Sequence, residues 1–562
     1  MKYNKLIILV FLTSAFVACK KLDTGLVNPN SVDPSLANVD LLLNQVQLSF
    51  KNVYTTASDY GGQVTRQQQM YGPIYSNAYT PSSFDGIWAS TYDGVIINAN
   101  TMIPIALQQK KYIQAGIAQT LKAYTMGTMV DYFGDVPNSE AGLGVANLNP
   151  KADPGAQVYA NVQTILDSAI ANFTKAGAGS GPTNDLFYAG NAAKWATAAK
   201  SLKLKFYMQT RLVDAANVTA KVTALVTAND LINTAANDFV FKYSTVNNAP
   251  DSRHPHYAAN YNNASTGSNS ANDFIANYFM WVVGVEKSGT GAVTSLDPRR
   301  RFYFYRQRTN YADVNPQTCA CSVQAFPAHY TVDMPFCLVG AGYWGRDHGD
   351  FSGIPPDGPL RTTWGVYPAG GEFDASQNAS VNNTKGGKGA GIDPIWISAF
   401  TYFLQSEAAL KLTITVNGTA RFLLEKGIRE SIAKVIGFPA TVNVTVPTAN
   451  MPTAANIDTY VNTVLANYDA ATTDAKRLDI IMREYYIATW GNGIEPYNNY
   501  RRTGSPNNMQ PTVTTPNPGF FIRSFFYPSV YVNRNINAPA QKTPGTGVNK
   551  VFWDNNPDNF IK

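Results

Sequence analysis

Tyr112-Ile-Gln-Ala-Gly-Ile-Ala-Gln-Thr-Leu-Lys-Ala-Tyr-Thr-Met-Gly-Thr-Met-Val-Asp-Tyr132 carries one lysine and one aspartate in twenty-one residues. Ile113, Ile117, Leu121, Tyr124 and Thr128 recur at helical spacing on one face. Gly116, Ala123 and Gly127 leave room for a partner helix to come close. The run then meets Phe133-Gly134-Asp135-Val136-Pro137, where glycine and proline stop a helix. The spacing predicts a long packed helix over 112–132, closed by a tight turn.

Similar patterns lie on either side. Helical periodicity starts near Val39. It predicts helices over 86–109, 155–173 and around Ala192, Trp195, Ala199, Leu202 and Phe206. It returns over 394–412, 419–436, 457–467 and 471–490. Trp88, Trp195, Trp396 and Trp490 fall in these patterns and read as core. Between them, 235–391 is rich in Gly, Pro, Asn and aromatic residues, with one helical stretch at about 270–285. A long irregular region inside a compact protein is functional when ordered. The tail, 492–562, reads as polar and aromatic with extended patches. The expected fold is mainly α. Helical hairpins (36–234 and 392–491) of tetratricopeptide-like type form a scaffold, with a loop-rich region (235–391) inserted between them and an extended tail (492–562) behind. No 34-residue sequence period is present, so the repeat reading rests on helix pairing.

The N-terminus places the chain. Lys2 and Lys5 precede an uncharged, largely apolar run from Leu6 to Val17, which ends Phe16-Val17-Ala18-Cys19. This is the layout of a secretory signal, too short for an ordinary membrane span. A small residue before cysteine resembles a bacterial lipobox, in which the thiol is acylated and becomes the new N-terminus. Residues 1–18 are expected to be removed, Cys19 to carry lipid, and 19–35 to act as a tether to a single domain, 36–562. Removal of residues 1–18 takes away two lysines and no acid, lowering the formal charge from +6 to +4. That balance gives nucleic acid no electrostatic footprint.

Charged residues make up 15% and aromatic residues 12%, with 32 tyrosines. A tyrosine offers a ring face and a hydroxyl, which suits both wet interfaces and sugar rings. No G-x-S-x-G elbow, H-E-x-x-H helix or phosphate loop is present; Gly386 to Gly391 reads as a mobile loop. His254 and His256 read as exposed loop residues. Beyond Cys19 there are three cysteines, Cys319, Cys321 and Cys337. Cys337 is expected to pair with Cys319 or Cys321, and the alternative of a zinc site with His329 fits no usual spacing. A calcium ion at Asp347 and Asp350 is the one cofactor the sequence admits.

Further stretches carry a family resemblance. They are Trp88-Ala-Ser-Thr-Tyr92 with Asn98-Ala-Asn100; Asp131-Tyr-Phe-Gly-Asp-Val-Pro137-Asn-Ser-Glu-Ala141; Lys194-Trp195 with Ser201 to Lys205; Asp297-Pro-Arg299; Leu404 to Ala409; Gly427 to Ser431; Tyr500-Arg-Arg-Thr-Gly504; and Arg523 to Pro528. Together they resemble the SusD/RagB family of nutrient-binding outer-membrane lipoproteins, in particular the SusD-like branch. The resemblance implies a non-catalytic protein anchored to the outer membrane through lipid and facing outward. It implies a SusC-like TonB-dependent transporter as partner, and an oligosaccharide or, in the RagB branch, a peptide as ligand.

Two aromatic and polar loops are expected to form a shallow, exposed groove for that ligand. Tyr71, Tyr75 and Asn77 come from the first; Tyr343, Trp344, Arg346 and Asp347 come from the second. Tyr71, Tyr75 and Trp344 are expected to stack on the ligand, with Asn77, Arg346 and Asp347 bonding its edges. The rival reading is a surface glycan hydrolase using acids among Asp347, Asp350, Asp357 and Glu372.

Overall fold

The computed structural model describes residues 38–175, 181–261, 273–288, 296–309, 319–351, 361–514, 520–543, 549–558 and 560–561. The signal segment, Cys19, the tether and Asp357 lie outside these residues. The longer helices are α1 (Val39–Val64), α2 (Ile97–Gln108), α3 (Tyr112–Phe133), α4 (Gly155–Thr174), α5 (Ala192–Gln209) and α6 (Ala215–Ala228). After the insert, with its own α7 (Asn277–Gly284), come α8 (Ser398–Lys411), α9 (Ala420–Thr441), α10 (Ala454–Ala470), α11 (Asp474–Ala488) and α12 (Ile494–Thr503).

Each helix begins or ends for a local reason. The Asn38 side chain accepts from the amides of Asp40 and Leu41 at the start of α1, and Thr453 with Asn456 forms a capping box at α10. Gly134 stops α3 at φ 78°, and Gly504 stops α12 in a left-handed conformation. Nearly every residue of α3 is buried, so it has no solvent face and sits at the centre of the N-terminal half. It packs on α1, α2, α4 and α5, and α8 packs on α9 and α11. A Cβ on Gly116 would lie 2.6 Å from the Phe173 ring, and one on Gly127 would lie 2.2 Å from Phe206. These glycines let aromatic rings of α4 and α5 rest directly on the α3 backbone.

Buried charge joins the halves. Glu407 on α8 accepts from Arg211, just beyond α5, at 2.6 Å and from Arg502 on α12 at 2.7 Å. Lys205 on α5 meets Glu495 on α12 at 2.5 Å, both buried.

The insert enters and leaves through one two-stranded antiparallel sheet. Strand β1 (Phe239–Lys242) pairs with β4 (Ile392–Trp396), so Phe239 lies opposite Trp396 and Lys242 opposite Ile392. Inside it, β2 (Phe304–Arg306) pairs with β3 (Thr362–Trp364). A run of rings pins the insert to the scaffold. The His256 ring stacks on Trp364 at 3.7 Å, Trp364 on Trp490 at 3.9 Å, and Trp490 on Phe279 at 4.8 Å.

Several expectations change. Pro394 belongs to β4, and the helix after it starts at Ser398. The tail opens with helix α12 rather than extended chain, and α6 had no clear signal. His254 is buried and His256 is nearly so, its Nδ1 3.1 Å from Asp273 and its Nε2 3.2 Å from Asp59. The Gly386 turn is packed backbone-to-backbone, since a Cβ there would lie 1.9 Å from the Gly371 carbonyl oxygen.

Candidate functional site

The two loops named from sequence do meet. The 273–277 segment runs between them, bridging Gln68 to Ile275 on one side and Ala276 to Arg346 on the other. The Gln69 side chain donates to the Asp350 carbonyl at 2.6 Å, and Tyr75 Oη lies 3.3 Å from His348 Nε2. The groove expected there is not formed by the side chains assigned to it. Tyr75, Tyr343, Trp344, Arg346 and Asp347 are buried; Tyr71, 50% exposed, and Asn77 face solvent.

Each buried group has structural work. Trp344, 2% exposed, packs on Cys319 and Cys337, so its ring offers no face to a ligand. Tyr343 lies under the guanidinium of Arg306 at 4.7 Å, and burial pushes its phenol up to about 12. Arg346 covers the Phe274 ring and pairs with Asp350 at 3.2 Å. Asp347 accepts from the Cys337 amide at 2.7 Å and from Gln510 at 2.9 Å, and burial raises its carboxyl to about 6. The physical reason is common to all five. A region without long helices must build its core from whatever rings and acceptors its loops supply. Asp347 and Asp350 each accept from protein donors in this structure.

A concave site lies elsewhere in the same region. A pocket of about 550 Å³ is lined by Trp281 of α7, Glu286 beyond it, Phe326, Asp333, Phe336 and Asn508. This is within the size range of small-ligand sites. Phe326, 44% exposed, offers a ring face to solvent. The polar side is fixed in place. Glu286 Oε1 accepts from Arg483 and, at 3.2 Å, from Asn508 Nδ2. Arg483 is held again by Asp479 at 2.9 Å, and Tyr278 donates to Asn508 at 2.9 Å. Glu286 Oε2 is buried with no hydrogen-bond partner among the described residues.

One wall of the pocket is the loop 322–336. The Cys321–Cys337 disulfide closes it, its two cysteines sixteen residues apart in sequence. Sequence reading found these cysteines but not the pocket. The signal was present in the bridge, because it brackets Phe326, Asp333 and Phe336.

The comparisons with known proteins follow this architecture. Residues 29–318 match a family model described as "Starch-binding associating with outer membrane". Residues 373–541 match one described as "Susd and RagB outer membrane lipoprotein". The chain belongs to the SusD/RagB family. It is an outer-membrane lipoprotein, and among the described residues no helix is long and apolar enough to cross a membrane.

SusD homologues of known structure share the fold. One from Bacteroides fragilis has a TM-score of 0.64 at 19% identity, covering 92% of this chain and 99% of the other. A protein titled a chitin-binding SusD homolog from Flavobacterium johnsoniae has a TM-score of 0.58 at 19% identity, with the same coverage. A structure titled chitin-binding protein has a TM-score of 0.62 at 18% identity, covering 92% and 100%. No curated protein matches the chain.

The motifs that carry the SusD/RagB resemblance are joints of the scaffold. Asp131 accepts from Tyr159, from Trp553 at 3.0 Å and from Asn498 at 2.7 Å. Arg501 reaches back to the Asp131 carbonyl at 2.7 Å, and Arg502 is one of the two arginines on Glu407. Arg299 pairs in the core with both Asp297 and Glu484. These residues join the helices of the SusD/RagB scaffold.

Proposed function

We propose that this SusD/RagB lipoprotein is a non-catalytic glycan receptor. In this reading it is anchored through acylated Cys19, captures oligosaccharides in the pocket between Trp281 and the 322–336 loop, and passes them to a SusC-like TonB-dependent transporter. The observation that carries the reading is the pocket's chemistry. Rings of Phe326 and Phe336 stand beside a fixed carboxylate and amide, Glu286 and Asn508. Rings stack on the C–H faces of a sugar, and the Glu286 carboxylate and Asn508 amide supply the polar side for its edge. The family, and two structural neighbours titled as chitin-binding, support a carbohydrate over other ligands. Tyr71 and Asn77, exposed on the neighbouring loop, are proposed as outer contacts.

Calorimetry with N-acetylglucosamine oligomers, malto-oligosaccharides and a peptide library tests this. Glycan binding with no product on prolonged incubation is expected. Peptide binding alone would replace the glycan reading with the RagB type, and product formation abolished by Asp347→Asn would make the protein a hydrolase. Cys19→Ala is expected to release the chain from outer membranes, and mild-detergent capture of the native lipoprotein to recover the transporter.

A further inference from the structure

Cys319 lies outside the bridge, with its Sγ 3.3 Å from that of Cys321 and 3.5 Å from that of Cys337. All three sulfurs fall within 4.8 Å of one another. Cys319 and Cys337 are buried side by side against Trp344, whereas Cys321 is half-buried. Cys337 is also held in a left-handed conformation at φ 64°, a region a β-substituted residue rarely occupies. Its amide is tied to Asp347.

We infer that Cys319, Cys321 and Cys337 form a thiol–disulfide exchange centre that sets the shape of the pocket wall. The reaction is an isomerisation. The Cys319 thiolate attacks Sγ of Cys337, and the Cys319–Cys337 bond forms as the Cys321–Cys337 bond breaks. The electron pair leaves on Sγ of Cys321, which takes up through solvent the proton that Cys319 gave up. Nothing is oxidised or reduced overall, so no co-reactant is needed. Attack on Cys337 is favoured over attack on Cys321, because a Cys319–Cys321 bond would span Ala320 alone. It would also break the turn in which the Cys319 carbonyl accepts from the Ser322 amide at 3.1 Å.

Exchange moves the start of the closed loop from 321 to 319, which gives the wall carrying Phe326 two more residues of slack. It also leaves the thiol on half-buried Cys321. The link to ligand affinity rests on the pocket reading above; the exchange itself does not.

Bridge mapping decides the chemistry. The mature chain is held at pH 8.5, quenched in acid to remove the thiolate, alkylated in denaturant and digested without reduction. Both bridges are expected, with label on Cys319 and on Cys321. Label confined to Cys319 after a day overturns the proposal. Cys321→Ser is expected to fold with a Cys319–Cys337 bridge, and two unpaired thiols in that variant also overturn it. Cys319→Ser locks the observed bridge. A hexamer of N-acetylglucosamine is expected to bind Cys321→Ser at least about 5-fold more weakly than Cys319→Ser, because a slacker wall must be ordered on binding. Equal affinities overturn the coupling to the pocket. If the wild-type chain binds no glycan at all, the proposed function fails and the bridge map alone judges the exchange.

Discussion

Glu407 in the helical hairpins and Asp347 in the insert are both carboxylates closed off from water, yet they are kept in different ways. Burial opposes the charge on Glu407, but Arg502 and Arg211 outweigh it and hold the carboxyl down at about 2. Asp347 has amide donors, from Cys337, Asn277 and Gln510, and no cation among these, so burial prevails, raising it to about 6. The contrast follows from backbone geometry. Helices satisfy their own amides, so their side chains are free to pair with one another across the interface. Irregular chain leaves amides open, and its acids are spent on them. The scaffold is thus locked by ion pairs between distant helices, and the insert by ring stacks and a disulfide beside its own pairs, Arg306–Asp374, Arg346–Asp350 and His256–Asp273.

The sharpest way to break the scaffold side of this comparison is Glu407→Gln. It leaves two guanidiniums buried beside a neutral amide. Removing one partner of a buried ion network costs about 3–5 kcal/mol. A fall of that size in urea unfolding stability is expected, with α5, α8 and α12 loosening together. A change below about 1 kcal/mol would mean the arginines find other acceptors and the joint is not ionic.

The second prediction sharpens the insert side. Burial raises Asp347 to about 6 and Asp393 to about 7. Burial opposes charge on His256, but Asp273 and Asp59 outweigh it and carry the ring to about 10. A group whose pKa is raised by folding stabilises below its unfolded value and loses that contribution as pH rises through the folded one. The losses run from the unfolded to the folded value of each group, ending near pH 6 for Asp347, pH 7 for Asp393 and pH 10 for His256. Glu407 is charged in both states from pH 5 upward, so its contribution is constant there. Burial keeps His254 and His348 neutral, which adds the opposite slope below pH 6.5. Hydrogen-exchange protection in the insert and its β1–β4 base is therefore expected to fall between pH 7 and pH 9, where His256 alone of these groups titrates, by about 2–3 kcal/mol, with α3 less affected. Protection in the insert that rises with pH over that range would contradict these assignments.

How far the sequence could be read divides along the same line. The 112–133 helix, its partners and the core tryptophans were legible, because a 3.6-residue period is local information. Membership of the SusD/RagB family was legible for a related reason: its motifs are scaffold joints such as Asp131 and Arg502. The insert was not. Trp344 and Tyr343 sit in a loop beside glycine and charged residues, which reads as exposed chain. Their burial depends on Cys319, Cys337 and Phe304, and on the 273–277 segment, none of which sequence spacing brings together. His256 was misread for the same reason, since Trp364, Asp59 and Asp273 come from three separate segments. The pairing of Cys321 rather than Cys319 also lies beyond spacing, because all three sulfurs meet.

Gly127→Ala probes the close packing on which the hairpins depend. The added methyl would sit 2.2 Å from the Phe206 ring, which is buried and has no room to withdraw. Overpacking of this kind costs about 1–3 kcal/mol, partly offset by the better helix propensity of alanine. A thermal midpoint lowered by a few degrees is expected, with the pocket's ligand affinity unchanged. A stabilised variant would mean that α5 shifts freely along α3.

Phe326→Ala is the mildest test for stability and the most direct one for function. The ring lies on the 322–336 wall and is 44% exposed, so its loss removes little buried area. Stability is expected to change by less than about 1 kcal/mol. A ring that stacks on a sugar face contributes about 1–2 kcal/mol to binding, so glycan affinity should fall about 5- to 30-fold. Trp344→Ala is expected to behave in the opposite way, since that ring packs against Cys319 and Cys337 inside the insert. Its loss should destabilise the insert by several kcal/mol, weakening binding only as far as the pocket wall loosens. The pair therefore separates a surface that meets ligand from the packing beneath it. If Phe326→Ala leaves glycan affinity untouched while Tyr71→Ala lowers it, the ligand lies on the exposed rim of the first loop, and the pocket beneath the bridge is structural.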